Sequence, residues 1–337
     1  MKRRVFVLFV AAVLAACSQL STTGSGTTTT STGPVPAPAI LATPALPGRL
    51  LLVKSGNLLM WQDGQLQQLT SSGDAWQPAF SRDGTRIVFV RRGQSYSDIM
   101  LTAATGGEAI QLTDNGSRHA LQSFERIYDS MWAFYPNFSA DGARIVYASQ
   151  YGPPEGSPAS EYRLVMYVQD ARAGAEKTTA FADGSGNVGH SVFDTTSSGI
   201  YFAFNPAGQN GAPRIMYYNL ATGALSLPVG MPDQSYDPAL SPDGATLFFA
   251  KRDSDGTDIY SIPTTGGTPQ RLTTNKTARA PAVSPDGAWV VYLAVPPQAA
   301  GFELWAQKLA DGKPDGDPVQ ITRDQLFDAD SGISWGK

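Results

Sequence analysis

Chemistry needs particular side chains, and this chain of 337 residues has few: two histidines and one cysteine, set among 34 glycines and 24 prolines. Gly332-Ile333-Ser334-Trp335-Gly336 has the spacing of a nucleophile elbow, in which a tight strand-to-helix turn lifts a serine hydroxyl toward a histidine base. Only Lys337 follows, too little for that helix, and Ser334 falls in register with a column repeated elsewhere, so no catalytic residue is assigned. Neither His119 nor His190 has zinc-ligand spacing such as His-Glu-x-x-His. Acidic stretches at 253–258, 311–317 and 328–330 gather carboxylates, but without the twelve-residue EF-hand spacing or its terminal glutamate. Asp-Gly is also the preferred content of a hairpin turn. No metal and no cofactor is assigned.

Recognition chemistry remains. Trp76, Phe134, Tyr135, His190, Tyr236, Asp237, Arg279 and Asp330 stand at corresponding points of a repeat, each at or near the start of a short apolar segment. A longer stretch at 114–134 adds Trp132, with Phe124, Tyr128, Arg118, Arg126, Glu125 and Asp129 around it. Aromatic anchors with charges beside them are what a binding surface uses. The same aromatics also suit packing of that stretch onto its own neighbours, and His190 also suits a solvated loop.

The repeat that must position these residues reads Pro78-Ala79-Phe80-Ser81, Pro136-Asn137-Phe138-Ser139, Ser191-Val192-Phe193-Asp194, Pro238-Ala239-Leu240-Ser241, Pro281-Ala282-Val283-Ser284 and Ser331-Gly332-Ile333-Ser334. Four copies run on into Asp-Gly, at 83–84, 141–142, 243–244 and 286–287. A period of roughly 43 to 58 residues marks one supersecondary unit used again and again. In the clearest unit, 238–273, a short strand turns at Ser241-Pro242-Asp243-Gly244 into the apolar run Thr246-Leu247-Phe248-Phe249-Ala250. A third strand follows at Asp258-Ile259-Tyr260 and a fourth at Arg271-Leu272-Thr273. Continuous apolar runs belong to strands covered on both faces. Residues 50–70 supply three strands without a first, and 331–335 supply a first strand alone. Joined, they make one unit and leave no open sheet edge. The expected fold is all-β: a six-bladed propeller of four-stranded antiparallel blades, closed by pairing of the N- and C-terminal segments, with a two-domain sandwich as the alternative.

The N-terminus has a different character. Lys2, Arg3 and Arg4 precede an apolar run from Val5 to Ala16, too short to span a bilayer and suited to an export signal. Leu14-Ala15-Ala16-Cys17 resembles the bacterial lipoprotein lipobox, which implies cleavage before Cys17 and acylation of that residue. A plain signal peptide or short anchor is the alternative. Residues 18–47 carry no charge, being Ser/Thr/Gly-rich and then Pro-rich, and read as a disordered tether. The expected organisation is thus 1–16 signal, 17–47 lipidated cysteine and tether, and 48–337 propeller. The net charge is −4 and the body has no basic stripe, so no nucleic-acid partner is expected.

The run Pro-x-apolar-Ser-Pro-Asp-Gly, then Asp-Ile-Tyr, Gly-Gly and Arg-Leu-Thr, resembles the WD40-like repeat of the TolB family over about 50–337. That resemblance implies the propeller fold and, for its function, a periplasmic binding protein, the front domain of a prolyl peptidase or a lipoprotein. The chain departs from it in showing no α/β domain between Cys17 and residue 48, and in carrying a lipid site, so the TolB role of gripping a peptidoglycan-associated lipoprotein is not carried over. The expectation is a monomeric, non-enzymatic module that binds an envelope protein or ligand around the channel mouth. It would be held by its lipid to the outer face of the cytoplasmic membrane or the periplasmic side of the outer membrane. A hydrolase or lyase acting on a saccharide or peptide in the channel, with His190, Asp237 and Asp330 converging, is the alternative, and a spacer without ligand is a third.

Overall fold

The apolar runs become second strands, and their alternate side chains point into two different gaps. Leu50 and Leu52 of Arg49–Lys54 pack against Val291, Leu293 and Leu304, whereas Leu51 and Val53 pack against Phe80, Ile87 and Phe89. The same division recurs around the molecule. Six apolar clusters each join one four-stranded sheet to the next, and the last joins back to the first. This is a closed six-bladed β-propeller, as the repeat predicts. The computed structural model describes residues 39–41, 44–151, 163–207 and 211–337.

Blade one is Ala75–Phe80, Arg86–Arg92, Ser97–Ala103 and Ile110–Gln111. Blade two is Ala133–Phe138, Arg144–Gln150, Leu164–Asp170 and Thr178–Phe181, and blade three is Gly186–Phe193, Gly199–Pro206, Arg214–Asn219 and Leu225–Ser226. Blade four is Ser235–Leu240, Thr246–Asp253, Gly256–Pro263 and Gln270–Arg271. Blade five is Arg279–Val283, Trp289–Ala294, Glu303–Ala310 and Val319–Gln320. The closing blade takes Ser334–Gly336 from the C-terminus and Arg49–Lys54, Asn57–Gln62 and Gln65–Gln68 from the N-terminal side. Its seam pairs Leu50 with Trp335 and Leu51 with Ser334, and the Trp335 indole N–H donates to Pro47 O at 2.7 Å.

Repeated polar residues hold the blades together. In the Ser-x-Asp-Gly turns the serine hydroxyl donates to the aspartate (Ser81 to Asp83, Ser139 to Asp141, Ser241 to Asp243, Ser284 to Asp286; 2.5–2.6 Å). The same hydroxyl accepts the amide that opens the second strand, as from Arg144 at 2.9 Å. The acid of Asp-Ile-Tyr clamps the third strand to the fourth. Asp98 accepts from the Thr113 hydroxyl and the Asn115 amide, both at 2.9 Å. Asp258 with Thr273 and Lys276, and Glu303 with Thr322 and Gln325, repeat it. Buried acids persist because each oxygen has a donor.

Around half of the ring an arginine latches each blade to the next. Arg49, Arg86 and Arg144 lie over Phe80, Phe138 and Phe193, and donate to Gly84 O, Gly142 O and Ser197 O at 2.6, 2.6 and 3.0 Å. At Gly142 (φ +68°) a Cβ would sit 2.6 Å from the Arg86 Nη2, so glycine serves both the turn and the latch.

One boundary is corrected. The tether was expected to reach residue 47, but Ala39–Ile40 pairs antiparallel with Thr322–Arg323, the Leu41 amide donates to Ile321 O, and Leu46 is buried beside Leu50. Cys17, the export signal and most of the tether lie outside the described residues.

Candidate functional site

The first strands begin earlier than the repeat column suggests, and this builds the channel mouth. Trp76-Gln77, Phe134-Tyr135, Tyr236-Asp237 and Arg279-Ala280 do not precede their strands; they lie inside them, at bulges where the register slips against the second strand. Each bulge ends on a proline, which has no N–H for the ladder. The residue before it is left-handed: Gln77, Tyr135, Asp237 and Ala280 have φ of 50, 54, 53 and 53°. That conformation costs a non-glycine residue roughly 1 kcal/mol. It turns one side chain per blade toward the axis. In blade three the slip falls at Gly189-His190, and in the closing blade Asp330 sits in a short 3-10 turn, Ala329–Ser331, ahead of the strand.

Gln77, Tyr135, His190, Asp237 and Asp330 line a central cavity of about 320 Å³. A web across the blades links them. Gln77 Oε1 accepts the Tyr135 amide at 2.9 Å, and Tyr135 stacks on His190 with ring centres 5.8 Å apart. Arg279 from blade five reaches Asp330 (Nη1 to Oδ1, 2.6 Å) and lies 3.5 Å from Asp237 Oδ2, which also accepts the Ala280 amide. Its guanidinium is over the Tyr236 ring at 5.3 Å. Burial draws the Arg279 pKa down, but the two carboxylates outweigh that and hold it above its ordinary value. Burial, reinforced by the charges of Asp237 and Asp330, raises the Tyr135 phenol. Burial also lowers the His190 imidazole below 6.5, with Asp237 pulling weakly the other way. The channel mouth therefore holds a neutral imidazole, a protonated phenol and two carboxylates sharing one guanidinium.

Four of the nine expected binding residues stand apart from the channel. Trp76 packs between blades one and two with Arg92 over it, the guanidinium carbon 3.9 Å from the ring centre. Trp132 and Phe134 lie parallel, 4° apart with centres at 6.2 Å, and form with Arg92, Gln150 and Leu164 an open slot of about 460 Å³ on the same face. Tyr236 also serves packing: its hydroxyl donates to Thr257 or accepts from it at 3.1 Å, and its ring rests on the core between blades four and five. Phe124 is 69% exposed and meets Tyr128 edge-on, so the 114–134 stretch does not fold all its aromatics onto the blades.

Arg82 and Arg92 were not singled out from sequence. Arg82 leaves the blade-one turn and crosses the ring, donating to Pro242 O at 3.0 Å and Thr195 O at 3.5 Å on blades four and three. It spans the far end of the cavity. Nothing in its neighbours in sequence announces this, since both acceptors are backbone carbonyls more than a hundred residues away.

The other chemistry-bearing residues are accounted for locally. Ser334 accepts the Phe80 amide at 2.9 Å within the blade seam. His119 lies 3.8 Å from Asp129 on the exposed 114–134 stretch. In the acidic stretches Asp253 pairs with Lys251, Asp255 with Lys276, Asp258 with Arg271 and Asp315 with Lys308. Asp328 accepts the Ser331 amide at 2.9 Å.

The same wheel of blades occurs in solved proteins. TolB from Acinetobacter baumannii superposes with a TM-score of 0.67 at 18% identity, over 88% of this chain and 68% of that one. The fold is that of a TolB-like six-bladed propeller. A chain of a nidogen/laminin complex matches with a TM-score of 0.56 at 13% identity, over 85% of this chain and 97% of that one. Oligogalacturonate lyase from Vibrio parahaemolyticus matches at 0.50 and 14%, over 81% and 73%. No protein-family model matches the sequence, and no curated protein does. At these identities the TolB-like propeller is a shared scaffold, and function must be argued from the side chains set on it.

Proposed function

We propose that this TolB-like propeller is a non-enzymatic binding module of the bacterial envelope, which takes a protein or envelope ligand on its mouth face. One observation carries this. At the mouth, aromatic and charged side chains are turned inward by strained bulges, whereas the opposite end spends its polar groups on its own turns. A chain of this fold in a nidogen/laminin complex is consistent with protein binding. The lipobox-like Leu14-Ala15-Ala16-Cys17 supports export and anchoring by lipid. The test is affinity capture from solubilised membranes with the N-terminal segment intact. Trp132→Ala and Asp330→Asn should each lower recovery of the partner at unchanged melting temperature; unchanged recovery counts against the mouth face. Cys17→Ser should move the chain from the membrane to the soluble fraction.

The second reading is a hydrolase or lyase working in the channel. The likeness to oligogalacturonate lyase and the presence of His190, Tyr135, Asp237 and Asp330 in one cavity favour it. Against it, both carboxylates converge on Arg279, and neither hydrogen-bonds to His190. Product release from oligogalacturonate, abolished by Asp237→Asn, would establish this reading over the first.

A further inference from the structure

We propose that the slot formed by Arg92, Trp132, Phe134 and Gln150 is a subsite for an acidic saccharide: a sugar ring rests on the aromatic pair and its carboxylate meets the Arg92 guanidinium. The inference rests on the binding reading above and names a ligand class for one part of that face.

The platform comes first. Trp132 immediately precedes the strand that carries Phe134, and their rings lie parallel and stacked. Neither belongs to an apolar cluster between blades. Stacked, they leave the outer face of the pair as a flat apolar surface one ring wide. The C–H face of a pyranose is flat and apolar, whereas its rim carries hydroxyls.

The charge comes second. Arg92 makes no ion pair and no side-chain hydrogen bond among the described residues, and its Nε is buried without an acceptor. Trp76 lies beneath it, 3.9 Å from the guanidinium carbon, and restrains the fork that would meet a carboxylate. Other arginines of the ring are spent: Arg49, Arg86 and Arg144 on latches, Arg82 on the channel end, Arg279 on two aspartates. None of the five residues lining the slot is acidic. An anion is therefore favoured over a cation.

The backbone comes third, and it separates a saccharide from a peptide. The Trp132 amide donates to Gln150 Oε1 at 2.7 Å, Trp132 O accepts from the Ser149 hydroxyl at 2.9 Å, and the Leu164 amide donates to Asn187 Oδ1 at 2.9 Å. A peptide strand would find these main-chain groups already used. A ligand recognised by ring face, carboxylate and hydroxyls needs only side chains, and the Gln150 amide nitrogen at the slot edge is a further donor.

The test titrates the folded full chain with trigalacturonate, following tryptophan fluorescence and heat. Maltotriose serves as the neutral sugar of equal size, and triaspartate as the anionic peptide. Saturable binding of trigalacturonate, at least tenfold tighter than either control, is expected. Trp132→Ala and Arg92→Gln should each weaken it about tenfold or more. Arg92→Lys should restore only part of the loss, because an ammonium lacks the planar fork. Lys313→Ala, in an exposed hairpin of blade five, should change nothing. The proposal is overturned by absence of saturation at millimolar sugar, by equal binding of triaspartate or maltotriose, or by full affinity in Arg92→Gln. Should sugar binding fail while Asp330→Asn still lowers partner capture, this subsite falls and the mouth-face reading stands; failure of both removes the two together.

Discussion

The two ends of the channel are made from the same repeat, yet they use it in opposite ways. At the turn end, four blades carry the same serine and aspartate in the same geometry, the serine hydroxyl donating to the aspartate of its own turn. At the mouth the corresponding residues are Gln77, Tyr135, His190, Asp237, Ala280 and Asp330, with no two neighbours alike. All of these but Ala280 line a cavity rather than a turn. Repetition within one chain thus marks the residues that build the scaffold. Departure from the repeat, at the register slips of blades one to five and in the 3-10 turn ahead of the closing strand, marks the residues left for recognition.

That contrast can be broken most severely at the turn end. Ser139→Ala leaves the half-buried Arg144 amide without its acceptor and frees Asp141, and it should cost about 1–2 kcal/mol in chemical denaturation, with ligand capture unchanged. Loss of capture without loss of stability would reverse the assignment of the two ends. Arg86→Leu removes one latch, both its hydrogen bond to Gly142 and its cover of Phe138, and should cost about 1–2 kcal/mol. The same change at the unlatched half has no counterpart, because Gly199, Thr246 and Trp289 occupy the matching strand starts.

Acid sharpens the comparison, since the two ends lose stability in different windows. The Ser81 hydroxyl, then the Thr85 amide, hold Asp83 at about 2, below the ordinary 3.8. A depressed carboxylate stabilises the fold above its unfolded pKa and ceases to do so as pH falls from about 4 toward 2. His190 is also depressed, by burial, so below 6.5 the unfolded chain takes up the proton first. Its penalty therefore grows as pH falls below 6.5 and levels off once the folded histidine titrates. Urea midpoints at pH 7.5 and 5.5 should differ in the native chain and differ less in His190→Asn. An unaltered pH slope in that variant would place the imidazole in water. This effect should be the smallest of the three.

Much of the architecture was legible because β-structure repeats leave periodic marks. The Asp-Gly turns, the apolar second strands and the split closing blade all follow from local chemistry, and the Leu50–Trp335 pairing meets the expectation of closure. The mouth was legible only as a column of positions. Proline hid the bulges: Pro78, Pro136, Pro238 and Pro281 look like strand starts because they interrupt the ladder, although the strands run through them. The residue before each proline was the better signal, and it points to Gln77 as well as to Tyr135 and Asp237. Arg92 was missed because nothing near it in sequence says that Trp76 lies beneath it and Trp132 opposite.

The order of residues alone determined how many blades there are, where each turns, and that the chain's ends share one of them. Those properties depend on contacts between neighbours in sequence, on proline and glycine geometry, and on apolar periodicity. Only the tertiary structure decided which polar groups meet. Arg279 finds Asp330, Arg82 finds Pro242, and Arg92 is left over, because closing the ring brings together side chains whose separation along the chain carries no hint of their distance in space.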